Sequence, residues 1–397
     1  MRRFQIATEE EIKGAATTDV YFVRTKEILE KEGLSDLRVT AEITTGSLPN
    51  SWPWGIFAGV EEAAHLLEGI PIHVTSLVEG SLFHPSDYFG IREPVMILEG
   101  RYLDFCLYET PLLGILCQAS GITTMAARVR QAAGDKTILS FGIRRMHPVL
   151  SPMVDRASYI GGFDAVSSLL GAELLQKNPS GTMPHSLIIA FGDQVKAWKS
   201  FNKHMAKDVQ RIALVDTYFD EKTETIMAAE ALGKDLYGVR LDTPSSRRGD
   251  FAEIVREVRW ELDSRGFSKV KIFVSGGLNE ESVKKLSEAG ADGFGVGTSV
   301  SNASTIDFAL DIVEADGKSV AKRGKLGGRK HVWRCDSCLV ELVRPLGFRP
   351  PMCPKCGKKT HPFLVSLITK GRIAKPLPSP DRIRTNVLGQ LSQLKSG

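Results

Sequence analysis

Polar residues of several types follow short apolar runs in the middle of the chain. Each run is typical of a β-strand, and the residues after the carboxyl ends are Arg144, Arg145, Asp216, Thr217, Arg240, Asp242, Ser275 and Thr298. The carboxyl ends of parallel strands meet on one rim, where barrel enzymes hold their active sites. Arginines and carboxylates on one rim suit a substrate with anionic groups and hydroxyls. The alternatives are ordinary loop residues and, for Arg240 with Asp242, a plain buried ion pair.

Two glycine-rich turns follow the last two predicted strands. The first is Ser275-Gly276-Gly277, and the second contains Gly295, Gly297 and Thr298. Glycine lets backbone N–H groups approach an anion, and the start of a helix after such a turn favours negative charge. Paired turns at this place in a barrel predict a phosphate site. Tight turns without any ligand would use the same residues.

His185 stands within Gly181-Thr182-Met183-Pro184-His185-Ser186, a turn followed by an apolar run. An imidazole here could be a general base, a nucleophile or a structural group with satisfied hydrogen bonds. The residues alone leave these three roles open.

Four of the six cysteines form two C-x-x-C pairs, Cys335 with Cys338 and Cys353 with Cys356. Two thiolate pairs on tight turns are typical of tetrahedral zinc, whose four positions they fill. A closed site leaves no position for a substrate, so we expect a structural zinc. Four thiols without a metal are the alternative.

A parallel sheet is needed to hold the rim residues together. From about residue 137, short β-runs alternate with helical patterns at 221–232, 251–262 and 280–289. This alternation is typical of a closed or nearly closed β/α barrel. We therefore expect an α/β protein with an N-terminal α+β domain (1–120), a barrel (121–317), and a zinc-knuckle module with a C-terminal helix (318–397). Residues 109–130 indicate a long apolar helix pair.

Composition and charge limit the class of protein. Hydrophobic residues make up 42% of the 397 residues, and no run approaches the roughly twenty apolar residues of a membrane span. The N-terminal residues turn acidic at once, which predicts no signal peptide and a cytoplasmic location. Residues 318–397 hold 18 Lys and Arg against three Asp and Glu, although the whole chain carries only +4. Such a basic tail could contact nucleic acid or dock on the acidic remainder of its own chain.

Taken in order, the motifs resemble those of the nicotinate phosphoribosyltransferase family over most of the chain. The matching segments are Thr18-Asp19-Val20-Tyr21, Glu93-Pro94-Val95, Glu99-Gly100, Glu109-Thr110-Pro111-Leu112-Leu113, Phe141-Gly142-Ile143-Arg144-Arg145, Gly161-Gly162-Phe163-Asp164, Gly181-Thr182 with His185-Ser186, Val215-Asp216-Thr217-Tyr218, Val239-Arg240-Leu241-Asp242-Thr243 and 382–394. Two features depart from the family. Many relatives carry Ser-Asn-Asp at the Ser275-Gly276-Gly277 turn, which here is closer to quinolinate phosphoribosyltransferases, and the four-cysteine module is not general.

The resemblance implies an enzyme of NAD biosynthesis that joins nicotinate to phosphoribosyl pyrophosphate, with Mg²⁺ and ATP. It implies that Phe141 and Tyr21 sandwich the pyridine ring, Tyr21 coming from a neighbouring subunit of at least a dimer. Arg144 or Arg145 would bind the carboxylate of nicotinate. His185 matches the histidine that the family phosphorylates from ATP.

The remaining implied roles divide between catalysis and binding. Asp216 and Arg240 join His185 as catalytic residues, with Arg240 over the ring and the phosphates. Asp242 meets the ribose hydroxyls, and the 5′-phosphate is cradled by both glycine turns. The other implied substrate-binding residues are Ser186, Thr217 and Thr243.

Two rival functions stay open at this point. A quinolinate phosphoribosyltransferase must bind two carboxylates and release CO₂, and would need a denser ring of Arg and Lys without a phosphorylated histidine. Nicotinamide is disfavoured, since a neutral amide gives an arginine little to hold. Nucleic-acid binding through the zinc module, with Trp333 and Phe348 stacking on bases, is not favoured, because zinc knuckles more often hold loop-rich segments together.

Overall fold

The computed structural model describes residues 3–396, so the predicted boundaries at residues 1 and 397 lie outside the described residues. The helices are α1 (Glu9–Lys13), α2 (Val20–Lys31), α3 (Val60–Leu67), α4 (Tyr102–Phe105), α5 (Glu109–Ala133), α6 (Ser151–Ile160), α7 (Leu169–Leu174), α8 (His185–Phe191), α9 (Gln194–His204), α10 (Glu221–Leu232), α11 (Phe251–Ser264), α12 (Glu280–Glu288), α13 (Thr298–Ser301) and α14 (Pro380–Ser396). The strands are β1 (Arg38–Thr45), β2 (Gly55–Ile56), β3 (His73–Ser76), β4 (Leu82–Phe83), β5 (Met96–Arg101), β6 (Thr137–Ser140), β7 (Ala165–Val166), β8 (Ile212–Leu214), β9 (Gly238–Leu241), β10 (Lys271–Ser275), β11 (Gly293–Val296), β12 (Phe308–Ala315), β13 (Lys318–Ser319), β14 (Lys330–Arg334), β15 (Glu341–Pro345), β16 (His361–Pro362), β17 (Val365–Thr369) and β18 (Arg372–Ile373).

The chain forms two compact units. One consists of Met1–Thr124 with Ser304–Gly397, and the other of Met125–Ala303. The tail that the sequence analysis sets apart from residue 318 thus shares a unit with the N-terminal residues. The reason is strand pairing, because β12 pairs with β1 over seven residues and β17 pairs with β3.

The unit of residues 125–303 is built on six parallel strands in the order β7-β6-β11-β10-β9-β8. Since β11 pairs with β6, the strands follow one another around a barrel in chain order, and within the described residues only β7 and β8 lack a pairing to close it. The predicted parallel sheet is confirmed. Five strands and helices α10, α11 and α12 match the sequence pattern closely. The two-residue strand β7 was not predicted.

The other unit contains a seven-stranded sheet in the order β13-β12-β1-β5-β3-β17-β18, whose pairings are antiparallel. The basic tail docks on acidic residues of this same unit. Lys330 Nζ lies 2.9 Å from the buried carboxylate of Glu42, and Lys322 and Lys325 each lie 2.6 Å from Asp311. Of the two readings left open by the charge pattern, these ion pairs support docking within the chain.

One detail of the helices corrects the sequence analysis. The predicted helix pair over 109–130 is one continuous helix, α5, in which Gly121 lies too close to the Ser304 carbonyl for any side chain. Asp19 stands at the start of α2, but its carboxylate accepts a hydrogen bond from the Thr110 hydroxyl instead of capping the helix. By length and composition Tyr102–Ala133 could cross a membrane, yet 61% of its apolar window is buried, which is typical of a core helix.

Candidate active site

A cavity of about 590 Å³ opens at the carboxyl ends of the parallel strands. It is lined by Phe141, Ile143, Arg144, Arg145, Ser167, Gly181, Thr182, Met183, Pro184, His185, Ser186, Arg240, Asp242, Ser275, Gly276, Gly277, Gly295, Gly297 and Thr298. Most of the residues predicted for the rim therefore come together, from five different strand ends and from the segment between β7 and β8.

His185 is the first residue of α8 and enters the cavity beside two carboxylates. Its Nε2 lies 3.0 Å from Oδ1 of Asp216, and its Nδ1 lies 4.0 Å from Oδ2 of Asp242. The hydrogen bond with Asp216 raises the pKa of His185, and the charges of both carboxylates add to this effect while burial opposes it. The hydrogen bond to Asp216 places a proton on Nε2 and leaves Nδ1 on the opposite edge of the ring, towards Asp242.

Asp216 is a buried support of His185 and does not line the cavity. Its side chain is 3% exposed. Oδ2 accepts hydrogen bonds from the backbone N–H of Asp242 at 3.0 Å and from the Thr243 hydroxyl at 3.1 Å. A carboxylate held in this way orients the imidazole, as in the acid–base–nucleophile arrangements of hydrolases.

Arg240 reaches the cavity from β9 with part of its hydrogen-bonding capacity unused. Its Nη2 donates to the carbonyl of Met183 at 3.0 Å, while its buried Nε has no partner among the described residues. The guanidinium lies 5.8 Å from the centre of the Phe141 ring. Burial lowers its pKa, but a guanidinium remains charged at any physiological pH. This is a cation prepared to donate to an anionic or carbonyl acceptor in the cavity.

The glycine turns bring backbone close to these side chains. Gly276 has φ +91°, and a Cβ there would lie 3.0 Å from the Asp242 carbonyl oxygen. At Gly295 a Cβ would lie 2.5 Å from Cε2 of Phe141, so only glycine leaves room for that ring. Ser275 donates to Oδ1 of Asp242 at 2.6 Å. The turns thus place both a ring and a carboxylate, in addition to offering backbone N–H groups.

Arg144 and Arg145 lie in a short 3-10 turn after β6, and both side chains are exposed. Neither guanidinium has a carboxylate partner within residues 3–396. Two unpaired cations beside Arg240 make this side of the cavity strongly positive, which suits a ligand with more than one anionic group.

The other predicted residues take different places. Thr217 and Thr243 do not line the cavity, and the Thr217 N–H instead donates to Glu224 at 3.1 Å. Tyr21 lies on α2 of the other unit and is 55% exposed. Ser186 and Thr298 line the cavity as expected.

Sequence reasoning missed Glu224, which is fully buried. Its carboxylate accepts hydrogen bonds from three consecutive backbone N–H groups, those of residues 217–219, and so fixes the loop that carries Asp216. Its position four residues after the helix-capping Asp220 gave no signal of this role, because acidic residues are common in the first turn of helices.

The four predicted cysteines lie in the unit that holds the N-terminal residues, beside the small sheet β15-β14-β16. Their Sγ atoms all lie within 4.8 Å of one another, with separations of 3.5 Å for Cys335–Cys356 and 3.4 Å for Cys338–Cys353. Zinc–sulfur bonds of about 2.3 Å in a tetrahedron separate the sulfurs by about 3.8 Å. Thus the four thiols form a possible metal site whose donors and spacing fit zinc.

Comparisons with known proteins cover nearly the whole chain. The N-terminal domain of quinolinate phosphoribosyl transferase matches residues 19–120, and its C-terminal domain matches residues 122–311. A nicotinate phosphoribosyltransferase of Mycobacterium tuberculosis is 33% identical over 331 residues, which cover 80% of this chain and 67% of that protein. The nicotinate phosphoribosyltransferase of Bacillus subtilis is 28% identical, with 80% and 72% covered.

Among solved structures, the nicotinate-nucleotide pyrophosphorylase from Pyrococcus furiosus superimposes with a TM-score of 0.95 and 54% identity, covering 100% of this chain and 99% of that chain. Human nicotinic acid phosphoribosyltransferase gives a TM-score of 0.74 at 22% identity, over 95% and 94% of the two chains, and so shows the same fold.

Proposed function

This chain belongs to the phosphoribosyltransferase family defined by the two quinolinate phosphoribosyl transferase domains, whose members here act in NAD biosynthesis, and on that premise we propose that it is a nicotinate phosphoribosyltransferase coupled to ATP. The observation that carries the proposal is His185, which lines a cavity with three guanidinium groups and is hydrogen-bonded to Asp216 buried behind it.

The reaction joins the pyridine nitrogen of nicotinate to C1 of the ribose as the C1–pyrophosphate bond breaks. Nicotinate and phosphoribosyl pyrophosphate become nicotinate mononucleotide and pyrophosphate. Positive charge develops on the sugar, so the protein's contribution is to align the ring and to stabilise the leaving group. We assign alignment to Phe141, with Tyr21 of a neighbouring subunit on the opposite face of the ring, and carboxylate binding to Arg144 or Arg145.

We assign the binding of the phosphate groups to the cations and the backbone N–H groups of the rim. Arg240, with its free Nε, donates to the leaving pyrophosphate, and the turns at 275–277 and 295–298 hold the 5′-phosphate. Asp242 accepts from the ribose hydroxyls. It is also the one carboxylate among the residues that line the cavity, and it would hold Mg²⁺ together with the pyrophosphate, since this ion usually takes one or two carboxylates plus phosphate oxygens. Bound Mg²⁺ would neutralise charge on the leaving group.

ATP coupling is assigned to His185. A histidine whose Nε2 proton is held by a buried carboxylate can attack phosphorus through its other nitrogen, giving ADP and a phosphohistidine that water later hydrolyses to phosphate. The phosphoryl group would add negative charge beside the pyrophosphate subsite and order the surrounding cations. Thr217 and Thr243 are reassigned from substrate binding to support of this histidine's loop and partner.

Substrate choice separates the rival enzymes. Quinolinate carries two carboxylates. The lining residues include three arginines and no lysine, and these three arginines must also bind the pyrophosphate and the 5′-phosphate. This supply favours a substrate with one carboxylate. Quinolinate remains the second candidate because the family domains are named for it and because Ser275-Gly276-Gly277 follows the quinolinate type.

The assembly and the metal complete the proposal. A homo-oligomer, at least a dimer in the cytoplasm, would bring Tyr21 to a neighbour's cavity. A mixture of Tyr21→Ala and His185→Asn, each expected to lack product formation stimulated by ATP, should then regain that stimulated activity after their subunits exchange, because a mixed dimer contains one intact site. Unchanged inactivity of a proven mixed dimer would show that each site belongs to one chain.

Zinc at the four cysteines would hold the loops around β14–β16 together.

The deciding measurement is mononucleotide formation from phosphoribosyl pyrophosphate and Mg²⁺ with nicotinate, nicotinamide or quinolinate, each with and without ATP. We expect product from nicotinate, raised by ATP, and loss of the ATP effect in His185→Asn. His204→Asn, which changes an exposed histidine on α9, is the matched control and should behave as wild type. Turnover of quinolinate with CO₂ release and no ATP effect would transfer the assignment to the second candidate.

A further inference from the structure

A buried carboxylate on helix α6 lies between the carboxyl ends of two parallel strands. Asp155 has no exposed surface. Its Oδ1 accepts a hydrogen bond at 2.9 Å from the hydroxyl of Ser140, the last residue of β6. Its Oδ2 accepts from the backbone N–H of Ser168 at 3.2 Å and also binds the Ser168 hydroxyl. One side chain therefore joins α6 to the ends of β6 and β7.

The bond to Ser140 closes the loop of residues 141–150. This loop begins directly after Ser140 and ends where α6 begins, so Asp155 ties the far end of the loop to its start. The loop contributes more residues to the cavity than any other strand end except the histidine segment. Those that line the cavity are Phe141, Ile143, Arg144 and Arg145. Their placement therefore depends on this closure.

The bonds to Ser168 hold a strand that has little other support. β7 pairs with β6 over two residues and, within the described residues, has no partner on its other side. Ser167, which follows β7, lines the cavity. The Val166 carbonyl accepts a hydrogen bond from the N–H of Ser180 at 2.8 Å, just before the segment 181–186. The end of β7 thus fixes a second part of the cavity wall.

A carboxylate is a costly means of joining these segments. Within residues 3–396 the hydrogen-bond partners of Asp155 are serines and none is a cation. Burial raises the pKa of Asp155, and the hydrogen bonds from the serines oppose this effect. An apolar side chain would fill the same volume without the cost of removing a carboxylate from water. The carboxylate is therefore better explained by the segments that its hydrogen bonds hold.

We propose that Asp155 is a positioning residue for the pyridine substrate, because it holds the loop 141–150 and the end of β7 in place around the cavity. The identity of that substrate rests on the proposed function, but the test applies equally to quinolinate. The turns assigned to the 5′-phosphate follow β10 and β11, and β6 separates these strands from β7. Binding of phosphoribosyl pyrophosphate should therefore depend little on Asp155.

The test compares Asp155→Ala with Asp164→Ala by steady-state kinetics and thermal melting. Asp164 is the matched control, because its carboxylate joins the amino ends of the same two strands. Its Oδ2 accepts from the Ile138 N–H at 2.9 Å and pairs with Arg130. In barrels, that end contributes to stability and the carboxyl end to catalysis.

The two substitutions should differ in their kinetic effects. We expect Asp155→Ala to raise KM for the pyridine acid by about 10-fold or more and to change KM for phosphoribosyl pyrophosphate by less than about two-fold. Asp164→Ala should lower the melting temperature and leave both KM values unchanged.

Further variants separate position from charge. In Asp155→Asn the amide oxygen can accept from Ser168 while the N–H₂ donates to the Ser140 hydroxyl, which accepts as well as donates. The geometry is then kept without the charge, so KM for the pyridine acid should stay within about three-fold of wild type. Ser140→Ala opens only the loop closure and should raise this KM by less than Asp155→Ala. Ser158→Ala removes another buried hydroxyl of α6, one that donates to the Val154 carbonyl at 2.7 Å, and should not raise it.

Equal rises of both KM values in Asp155→Ala, or no rise in either, would overturn the proposal. So would an Asp155→Asn variant as impaired as Asp155→Ala, because charge and not position would then be responsible. If Asp155→Ala does not fold, the comparison of Ser140→Ala with Ser158→Ala decides. If the wild type uses quinolinate, the proposed function fails while the same comparison of KM values is made with quinolinate, so the two failures are distinguishable.

Discussion

The substitution Gly295→Ala tests whether the Phe141 ring forms a wall of the substrate site. A Cβ at position 295 would lie 2.5 Å from Cε2 of Phe141, whereas carbon atoms in ordinary contact are about 3.5–4.0 Å apart. The ring must therefore move by roughly 1 Å. Overpacking of this kind typically costs about 1–3 kcal/mol of stability. Each kcal/mol lowers the melting temperature of a unit of this size by about 2–4 °C.

The effect on activity should exceed the effect on stability. A displacement of about 1 Å at a substrate-positioning group can cost as much as about 100-fold in rate. We expect kcat/KM for nicotinate to fall by roughly 10- to 100-fold, while KM for phosphoribosyl pyrophosphate changes little. Initial rates with each substrate varied in turn, together with thermal melting, provide both quantities.

Gly293 supplies a matched control on the same strand and the same face. A Cβ there would lie 2.5 Å from Cε1 of Phe273, a ring in the buried core, so Gly293→Ala repeats the steric conflict away from the cavity. It should lower the melting temperature without a selective loss for nicotinate. In the double variant Gly295→Ala/Phe141→Val, stability should return but nicotinate turnover should not. Wild-type kinetics in Gly295→Ala, or equal kinetic losses in both alanine variants, would refute the reasoning.

Three further outcomes are expected. The pKa of His185 is raised in the folded state by its pairing with Asp216. The stabilisation from this pair is therefore complete below the unfolded pKa of about 6.5 and is lost as the pH rises through the folded pKa. The free energies of unfolding of wild type and His185→Gln, measured with denaturant, should differ most at low pH and converge at high pH. Removal of metal by a chelator, or Cys353→Ser, should lower the melting temperature and release about one zinc ion per chain by mass spectrometry, with KM for nicotinate unchanged. Arg144→Gln and Arg145→Gln should differ in their KM for nicotinate, because one carboxylate needs one bidentate partner. One variant should raise this KM by about 10-fold or more and the other should leave it unchanged, which steady-state kinetics will measure.

The barrel could be predicted from sequence because its strands are continuous apolar runs bounded by helical periodicity. β8, β9, β10 and β11 each bury nearly every residue, so the pattern does not depend on which face a side chain occupies. β7 has two residues, which is too short for any periodicity to be visible. The same reasoning failed for α5, which is one helix instead of the predicted pair. Within it, Gly121 marks the close approach of the Ser304 backbone, whereas a Cβ at Gly114 would meet nothing.

Residues of the candidate site were predicted by position, but their depth was not. The sequence places Asp216 and Asp242 after consecutive strands in the same way, yet Asp242 lines the cavity and Asp216 is buried behind His185. The difference arises from Glu224, which binds the backbone of residues 217–219 and draws that loop inward. A contact between a helix residue and a loop five to seven residues earlier has no periodic signature.

The position of His185 follows from the interruption of the barrel. Every consecutive pair of the six parallel strands is joined by hydrogen bonds except β7 and β8, and the chain between them runs through three helices before the sheet resumes. A closed ring would present only strand ends and short loops at this rim. The interruption instead admits the segment 181–186, which brings the Met183 carbonyl to Arg240 and the imidazole to Asp216. His185 thereby becomes part of the rim although it stands about 27 positions before β8, the strand that leads to Asp216. The missing pairing between β7 and β8 is thus a condition for this histidine to reach the cavity.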